Sequence, residues 1–184
     1  RKKNIRRKSL VQTIDLAPTV LDFFKIKIPK DMQGKPLKDT IDSDMQIREA
    51  ALFGQHGSFV NVTDGQYVYM RAPSSRRNRP LYNYTLMPTH MRDRFSPNEL
   101  RGLSLQEPFS FTKHCRTLKV KAYFLVGNSY GGSNFLFDLK EDPNQENPII
   151  NKEIENRMLK LLIQLMEEND APEEQFIRLG LKEK

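Results

Sequence analysis

The apolar positions predict one helix near each end of the chain. Between Asp15 and Phe24 apolar side chains recur at helical spacing, and Asp15 stands before them as a candidate cap. After Asn151, a second candidate cap, a single apolar face continues at spacings of three, four and one. Its members are Ile154, Met158, Leu161, Leu162, Leu165 and Met166. This second pattern is the clearest in the chain and predicts a long amphipathic helix.

Between the two helices the pattern changes to short runs that are typical of strands. The runs are Ala50–Phe53, Phe59–Val62, Tyr67–Met70, Leu118–Leu125 and Phe135–Leu139. Asp64 and Gly65 lie between the second and third runs, and Asp-Gly in that position is a strong hairpin signal. We expect the last two runs to pair and complete an antiparallel sheet, joined by a turn or mobile loop around residues 127–132.

Two stretches lack a sustained period. Lys27–Ser43 contains two prolines and Gly34, so we expect a surface loop and a subdomain boundary there. Arg71–Pro108 is rich in proline, polar and aromatic residues and predicts a long irregular excursion. The predicted fold is α+β, with a small antiparallel β-sheet packed against a long C-terminal helix and preceded by a short helix and loop.

Composition limits the class of protein only loosely. Apolar residues make up 38% and charged residues 29% of the 184 residues, as is ordinary for a soluble globular protein. The longest apolar stretches are too short for a transmembrane helix, and no apolar signal-peptide region follows the basic Arg1–Lys8 segment. The chain does not start with Met, so we expect it to begin in the interior of a longer protein. The compartment stays open.

The net charge of +7 suggests a polyanion as a partner. The positive charge is concentrated at Arg1–Lys8 and Arg71–Arg79. Motifs that stack on bases or read a DNA groove are absent from the sequence, so we expect neither nucleic acid nor membrane as a partner. Cys115 is the single cysteine, and it cannot form an internal disulfide or supply a zinc site alone.

Two short motifs carry a family resemblance. The first is Asp-x-x-Pro-Thr at Asp15, Pro18 and Thr19, and the second is Gly-x-x-Leu at Gly34 and Leu37. In this order and context they resemble the passage that leaves the catalytic half of sulfatases, members of the alkaline-phosphatase-like superfamily.

Later segments agree with this resemblance in the right order. The Gly54–Gly65 segment is similar to the opening hairpin of the sulfatase C-terminal subdomain. The run from Phe137 through Asp142-Pro143 is similar to the last strand, and the helix after Asn151 is similar to the terminal helix. The resemblance therefore covers most of the chain and is weakest between Arg71 and Gly132.

The resemblance implies a division of the chain and a role for it. Residues 1–45 would be the end of the catalytic α/β domain with its connecting loop, and residues 46–184 the C-terminal sulfatase subdomain. The full-length protein would hydrolyse sulfate esters with a formylglycine and calcium. The C-terminal subdomain would form part of the wall of the substrate pocket. Its expected partners are the N-terminal catalytic half of the same protein and a sulfated small molecule or glycan.

The sequence does not supply the catalytic set that the resemblance implies. Formylglycine is made from Cys or Ser in a Cys/Ser-x-Pro-Ser-Arg motif, and the nearest string surrounds Pro73. Arg71 occupies the nucleophile position there, and Ser75 occupies the arginine position. We therefore assign no catalytic or metal-binding residue to this chain and expect it to be inactive alone.

Three residues are candidates for substrate binding: His56, His90 and Arg92. His56 lies between Gly54 and Gly57, which allow close approach of the backbone to a ligand. His90 and Arg92 lie in the long excursion and suit an anionic or sugar-like substrate. The alternative for each is a structural role in its own loop.

Two other functions stay open at this point. The chain could belong to a phosphonate monoester or phosphodiester hydrolase of the same superfamily, because the missing nucleophile decides that reaction. It could also be a basic module that binds a polyanion, on the strength of its charge.

Overall fold

A computed structural model describes residues 4–87, 89–90, 92–122 and 132–183. The chain forms two compact units that alternate along the sequence. Unit 1 comprises Arg1–Gly54, Val60–Met70 and Asn134–Met166, and unit 2 comprises Gln55–Phe59, Arg71–Ser133 and Glu167–Lys184. The predicted boundary near residue 45 stays a prediction.

The helices and strands follow one another as a short helical start, a strand-rich middle and a helical end. In chain order they are α1 (Leu16–Phe23), α2 (Lys38–Ser43), β1 (Ala51–Gly54), β2 (Val60–Thr63), β3 (Tyr67–Arg71), β4 (Tyr82–Thr85), β5 (Ser104–Gln106), β6 (Thr117–Lys121), β7 (Phe135–Asp138), α3 (Lys152–Glu168) and α4 (Glu173–Arg178). A 3-10 turn, Thr13–Asp15, precedes α1. Over the described residues, no helix has the length and apolarity to cross a membrane.

Unit 1 is a four-stranded sheet with α3 packed against it. The strand order is β1-β2-β3-β7, with β1 antiparallel to β2 and β3 antiparallel to β7. Met158, Leu162 and Met166 recur every four residues along α3 and are buried, as the predicted apolar face requires. Asn151 caps α3, since its side-chain oxygen accepts a hydrogen bond from Ile154 N at 3.1 Å. The predicted α+β class is confirmed.

The hairpin between β2 and β3 turns at Asp64-Gly65, as the sequence predicts. The Asp64 carboxylate accepts hydrogen bonds from the backbone N–H groups of Tyr67 at 2.7 Å and Gln66 at 3.0 Å. Arg157 of α3 donates to the same carboxylate at 2.7 Å. Burial opposes ionisation, but these donors outweigh it and hold the pKa of Asp64 below its usual value. The turn is thereby tied to α3.

Unit 2 contains a second sheet that the sequence did not predict. Its order is β4-β6-β5, with both pairs antiparallel. The expected irregular excursion is therefore wrong at β4 and β5. These strands are short and lie among prolines, so the sequence shows no strand periodicity there. The expected pairing of Leu118–Leu125 with Phe135–Leu139 is wrong too, because β6 and β7 belong to different sheets. Residues 123–131, with most of the predicted 127–132 turn, lie outside the described residues.

Candidate functional site

The Asp15 carboxylate is the centre of a buried cluster in unit 1. Asp15 is fully buried and forms a two-point ion pair with Arg48, one contact of which measures 2.6 Å. The backbone N–H of Lys35 donates to it at 2.9 Å, and that of Gln12 at 2.7 Å. Burial opposes ionisation of Asp15, but the four donors prevail and lower its pKa. Asp15 therefore holds the loop at Lys35 and the segment at Arg48 that leads into β1. Its side chain does not cap α1, so the predicted cap is wrong.

The two sequence motifs meet at this cluster. The Thr19 hydroxyl donates to the Asp15 carbonyl at 2.5 Å and accepts from Leu37 N at 3.0 Å. A Cβ on Gly34 would overlap the backbone carbonyl of Ile14 and lie 3.0 Å from Pro18 Cγ. The residues of the two motifs therefore allow the loop at Gly34 and Leu37 to pack closely against the start of α1.

One side of α1 carries large apolar side chains in solvent. Leu16, Val20, Phe23 and Phe24 are 59%, 56%, 71% and 65% exposed. Their spacing of four, three and one places them on one face of the helix, which we call the apolar stripe. On the other side, Pro18 is buried. An exposed apolar patch of this kind is typical of an interaction surface.

In unit 2, three contacts fix the His56 loop, which comprises Gln55–Phe59. His56 is exposed, and its Nε2 lies 3.1 Å from the Tyr82 carbonyl oxygen. Asn78 Nδ2 donates to Gly57 O at 2.5 Å, and Arg178 donates to Ser58 O at 3.0 Å. His56, Gly57 and Ser58 therefore each have a different hydrogen-bond partner outside the loop.

The hydrogen bond of His56 sets the character of its other ring nitrogen. A carbonyl oxygen only accepts, so Nε2 carries the proton and donates. In the neutral imidazole Nδ1 is then an acceptor, and protonation of the ring would turn Nδ1 into a donor. Nδ1 of His56 can therefore accept a hydrogen bond from a hydroxyl group when the ring is neutral, and donate one to an anion when the ring is charged.

Arg178 is a buried cation surrounded by neutral acceptors. It is 2% exposed, and its guanidinium donates to Asn78 Oδ1 and Ser58 O at 3.0 Å and to Gln175 at 2.9 Å. Burial lowers the pKa of Arg178 to about 10, which leaves it charged at neutral pH. Arg178 and Asn78 together position the His56 loop.

A cavity of about 440 Å³ lies beside β4 and β6, and we call it the Tyr82 cavity. Its lining consists of Arg79, Pro80, Leu81, Tyr82, Lys121, Ala122 and Ile177. Tyr82 stands directly opposite Lys121 in the strand pairing, so the two residues lie on the same face of the sheet. His56 adjoins this site through the Tyr82 carbonyl.

A partly buried charge cluster supports the Tyr82 ring. Lys119 Nζ lies 4.4 Å from the centre of that ring and 3.3 Å from a Glu174 carboxylate oxygen. The Tyr84 hydroxyl also donates to Glu174. Burial raises the pKa of Glu174 in spite of the neighbouring ammonium.

His90 and Arg92 lie on a turn closed by a 2.7 Å hydrogen bond from His90 N to Asp93 O. His90 Nε2 is 2.6 Å from a Glu99 oxygen, and its ring lies edge-on to Phe95 at 4.3 Å. Arg92 is exposed. Over the described residues, no hydrogen bond or ion pair joins His56 to His90 or Arg92, and the three candidates stay predictions.

The sequence reasoning missed Arg79, Lys121, Asn78 and Arg178 as parts of the site. The basic charge of the Arg71–Arg79 segment could have pointed to Arg79. Lys121 and Arg178 needed the strand register and the position of α4, which the sequence pattern did not provide. In the part of the chain that the structure describes, no group of three His, Cys, Asp or Glu side chains is arranged to hold a metal ion.

Comparison with known proteins agrees with the resemblance seen in the sequence. Residues 1–69 match the family described as N-sulphoglucosamine sulphohydrolase, C-terminal. For this part of the chain the predicted resemblance to the C-terminal portion of a sulfatase is confirmed. A search of curated proteins gives no match.

Two solved structures are similar to the chain over most of its length. One is BT4656 in complex with its substrate D-glucosamine-2-N,6-O-disulfate, at 16% identity and TM-score 0.47, covering 87% of this chain and 24% of that one. The other, BT33336S-sulf, comes from work on the metabolism of multiple glycosaminoglycans by Bacteroides thetaiotaomicron. Its identity is 15% and its TM-score 0.48, with 86% of this chain and 25% of that one covered. The chain spans about a quarter of the length of each.

Proposed function

We propose that this chain is the C-terminal part of a sulfatase and that it forms one wall of the substrate pocket without catalysing the reaction itself. The match of residues 1–69 to a sulfohydrolase C-terminal family is the observation that carries the proposal. The nucleophile, formylglycine and calcium would belong to the catalytic half of the full-length protein. No residue of this chain is assigned to them.

The apolar stripe of α1 supports a lasting partnership with the catalytic half. Leu16, Val20, Phe23 and Phe24 form a continuous apolar face that water solvates poorly. The sequence resemblance assigns this helix to the end of the catalytic α/β domain. Burial of the stripe in that domain would join the two parts as one folded body.

The fixed His56 loop supports the role in the pocket wall. The Gly57 carbonyl is held by Asn78 and the Ser58 carbonyl by Arg178, so His56 is presented with little freedom in its backbone. A group held in this way loses little conformational entropy when it binds a ligand. We assign His56 to contact with the sulfated substrate through Nδ1.

Arg92 and His90 are proposed as secondary contacts to the substrate. Arg92 is exposed and offers a planar guanidinium that suits a sulfate group. The His90 ring is engaged by Glu99 and Phe95, and it would mainly orient the turn that carries Arg92.

An assay with a chromogenic sulfate ester and calcium tests the proposal. The full-length protein is expected to turn the ester over, and this chain alone is expected not to. In the full-length protein, His56→Ala should lower kcat/KM about tenfold, as loss of one hydrogen bond to the substrate predicts. His114→Ala is the matched control, because His114 is another exposed histidine of unit 2 outside the His56 loop.

Three results would count against the proposal in different ways. Turnover by the chain alone would overturn its inactivity. A full-length protein that cleaves a phosphonate monoester or a phosphodiester but not a sulfate ester would overturn the sulfatase assignment. Unchanged kcat/KM in His56→Ala would remove His56 from the pocket wall.

A further inference from the structure

A second cavity of unit 2, of about 500 Å³, is lined mainly by aromatic and other apolar side chains, and we call it the Phe111 cavity. Tyr84, Phe109 and Phe111 supply the rings, and Leu86 and Met87 extend the apolar wall. Phe109 and Phe111 stack with their ring centres 5.4 Å apart, and the Tyr84 ring meets Phe109 edge-on at 5.3 Å. Leu86, Met87 and Phe111 are exposed, so a small molecule can reach this wall.

One carboxylate gives the Phe111 cavity a negative charge. Asp170 is the single charged residue of the lining over the part of the chain that the structure describes. The backbone N–H of Ser110 donates to Asp170 Oδ2 at 2.7 Å. Because Ser110 stands between Phe109 and Phe111 in the chain, this bond ties the carboxylate to the segment that carries the two stacked rings.

Asp170 is ionised at neutral pH and keeps capacity for a further donor. Hydrogen bonds from the side chain and the backbone of Ser110 lower the pKa of Asp170, and no neighbouring cation contributes to that shift. A carboxylate has about four acceptor positions, so the bonds from Ser110 leave room for a ligand. The negative charge of the cavity is therefore held by neutral donors.

Thr117 adds a second acceptor to the lining. It is 3% exposed, and over the described residues its Oγ1 has no hydrogen-bond partner. A buried hydroxyl without a partner is unfavourable. Asp170 only accepts hydrogen bonds and Thr117 can accept one, so a ligand that carries N–H donors suits both groups.

We propose that the Phe111 cavity binds an organic ammonium ion with an apolar ring, in which the charged N–H group meets Asp170 and the ring packs on Phe111 and Met87. Aromatic faces attract a cation, and a carboxylate adds a charge-assisted hydrogen bond. The same carboxylate repels an anion. The inference does not rest on the proposed function, which concerns a sulfate ester and the His56 loop.

Binding to the 184-residue chain is measured by calorimetry and NMR shift mapping in a buffer free of amines. The three probes are benzylammonium, benzyl alcohol and benzoate, which share a ring and differ in charge. Benzylammonium is expected to bind with a dissociation constant of about a millimolar, given its size, and about tenfold more tightly than benzyl alcohol. Benzoate should bind more weakly still. Higher salt should weaken the binding of benzylammonium, because the cavity is open to solvent.

Removal of the carboxylate charge locates the ammonium group. Asp170→Asn should weaken benzylammonium about tenfold and leave benzyl alcohol unchanged, because it removes a charged acceptor and keeps the shape of the side chain. Asp170 has a φ of 54°, a conformation that Asn also tolerates. Asp93→Asn is the matched control, since Asp93 is an exposed aspartate of unit 2 that does not line the cavity.

Removal of one aromatic face tests the ring contact. Phe111→Leu should weaken benzylammonium about threefold, because an apolar wall stays in place but the attraction of the ring for the cation is lost. Phe53→Leu is the matched control: Phe53 is 44% exposed, against 45% for Phe111, and does not line the cavity. A circular dichroism melt checks that each variant is folded.

The parent chain alone gives two results that would overturn the inference: no binding of benzylammonium at tens of millimolar, or equal binding of benzylammonium and benzyl alcohol. Full affinity of a folded Asp170→Asn variant for benzylammonium would overturn it as well. None of these results involves catalysis. If the full-length protein does not cleave sulfate esters while Asp170→Asn loses the ammonium ion, the proposed function fails and the Phe111 site stands. If cleavage is found and benzylammonium does not bind, the opposite holds.

Discussion

Asp15 in unit 1 and Arg178 in unit 2 are both charged and almost completely buried, yet their surroundings differ. Asp15 faces the opposite charge of Arg48 and two backbone N–H groups. Arg178 faces the carbonyl of Ser58 and the side-chain amides of Asn78 and Gln175. One charge is neutralised by an ion pair and the other is only solvated by dipoles.

The difference shows in the pKa values and in what each residue holds together. Opposite charge and N–H donors lower the pKa of Asp15, so ionisation and folding favour each other. Burial lowers the pKa of Arg178 to about 10, so its charge is kept at a cost. We interpret Asp15 as a residue that stabilises the fold and Arg178 as one that positions the His56 loop.

Removal of the Asp15 counter-charge should have the largest effect. Arg48→Met would leave a carboxylate buried without its ion pair, which costs about 3–5 kcal/mol of unfolding free energy. Urea denaturation measures this loss. Arg6→Met, a change at an exposed arginine of the same unit, should alter the unfolding free energy by less than about 0.5 kcal/mol. A loss below about 1 kcal/mol for Arg48→Met would show that water or a rearranged donor replaces the ion pair.

Removal of the Arg178 charge should cost less. Arg178→Met leaves neutral acceptors without donors, at about 1–3 kcal/mol, and the apolar replacement avoids the cost of burying a charge. The sharper readout is local: NMR shifts of His56 and Gly57 should change strongly, while those of the Asp64 hairpin should not. Arg101→Met, at an exposed arginine of unit 2, serves as the control. Unchanged His56 shifts would exclude a positioning role for Arg178.

The pH dependence should give the smallest effect and opposite signs for two carboxylates. Asp15 has a lowered folded pKa, so its contribution is present above the ordinary aspartate value of about 3.9 and is lost as pH falls through the folded pKa. Glu174 has a raised folded pKa, so its contribution is present below the ordinary glutamate value of about 4.3 and is lost as pH rises through the folded pKa.

Urea denaturation between pH 3 and pH 7, with Asp15→Asn and Glu174→Gln beside the parent chain, measures both contributions. The stability gap between parent and Asp15→Asn should shrink as pH falls through the lowered folded pKa of Asp15. The gap for Glu174→Gln should change in the other direction. A parallel course for the two variants would contradict the assigned pKa directions.

The sequence predicted the parts of the fold that depend on near neighbours. The α3 face, the Asn151 cap and the Asp64-Gly65 hairpin follow from local period and turn chemistry. The Asp15 and Gly34 motifs are also local, since their partners lie within one stretch of residues 12–48. The resemblance identified both motifs, but it did not predict the contacts of Gly34 with Ile14 and of Lys35 with Asp15 that join them.

The contacts that hold the His56 loop and line the Tyr82 cavity could not be predicted from sequence patterns, for a physical reason. Arg178 reaches Ser58 across 120 positions and Asn78 across 100, and Lys121 stands opposite Tyr82 only through the β4–β6 register. Strands as short as these carry little periodic signal among the surrounding prolines. His56 was selected for its glycine neighbours, but the side chains that fix its loop could not be selected in the same way.

The apolar stripe of α1 has a practical consequence for the protein in solution. Four large side chains that present their hydrocarbon to water should make the 184-residue chain adsorb to hydrophobic resins and assemble into larger species as its concentration rises. Val20→Glu with Phe23→Glu should restore a monodisperse sample on size-exclusion chromatography. Such a variant would be a convenient form of the chain for measurements in solution, because neither residue belongs to the Tyr82 cavity.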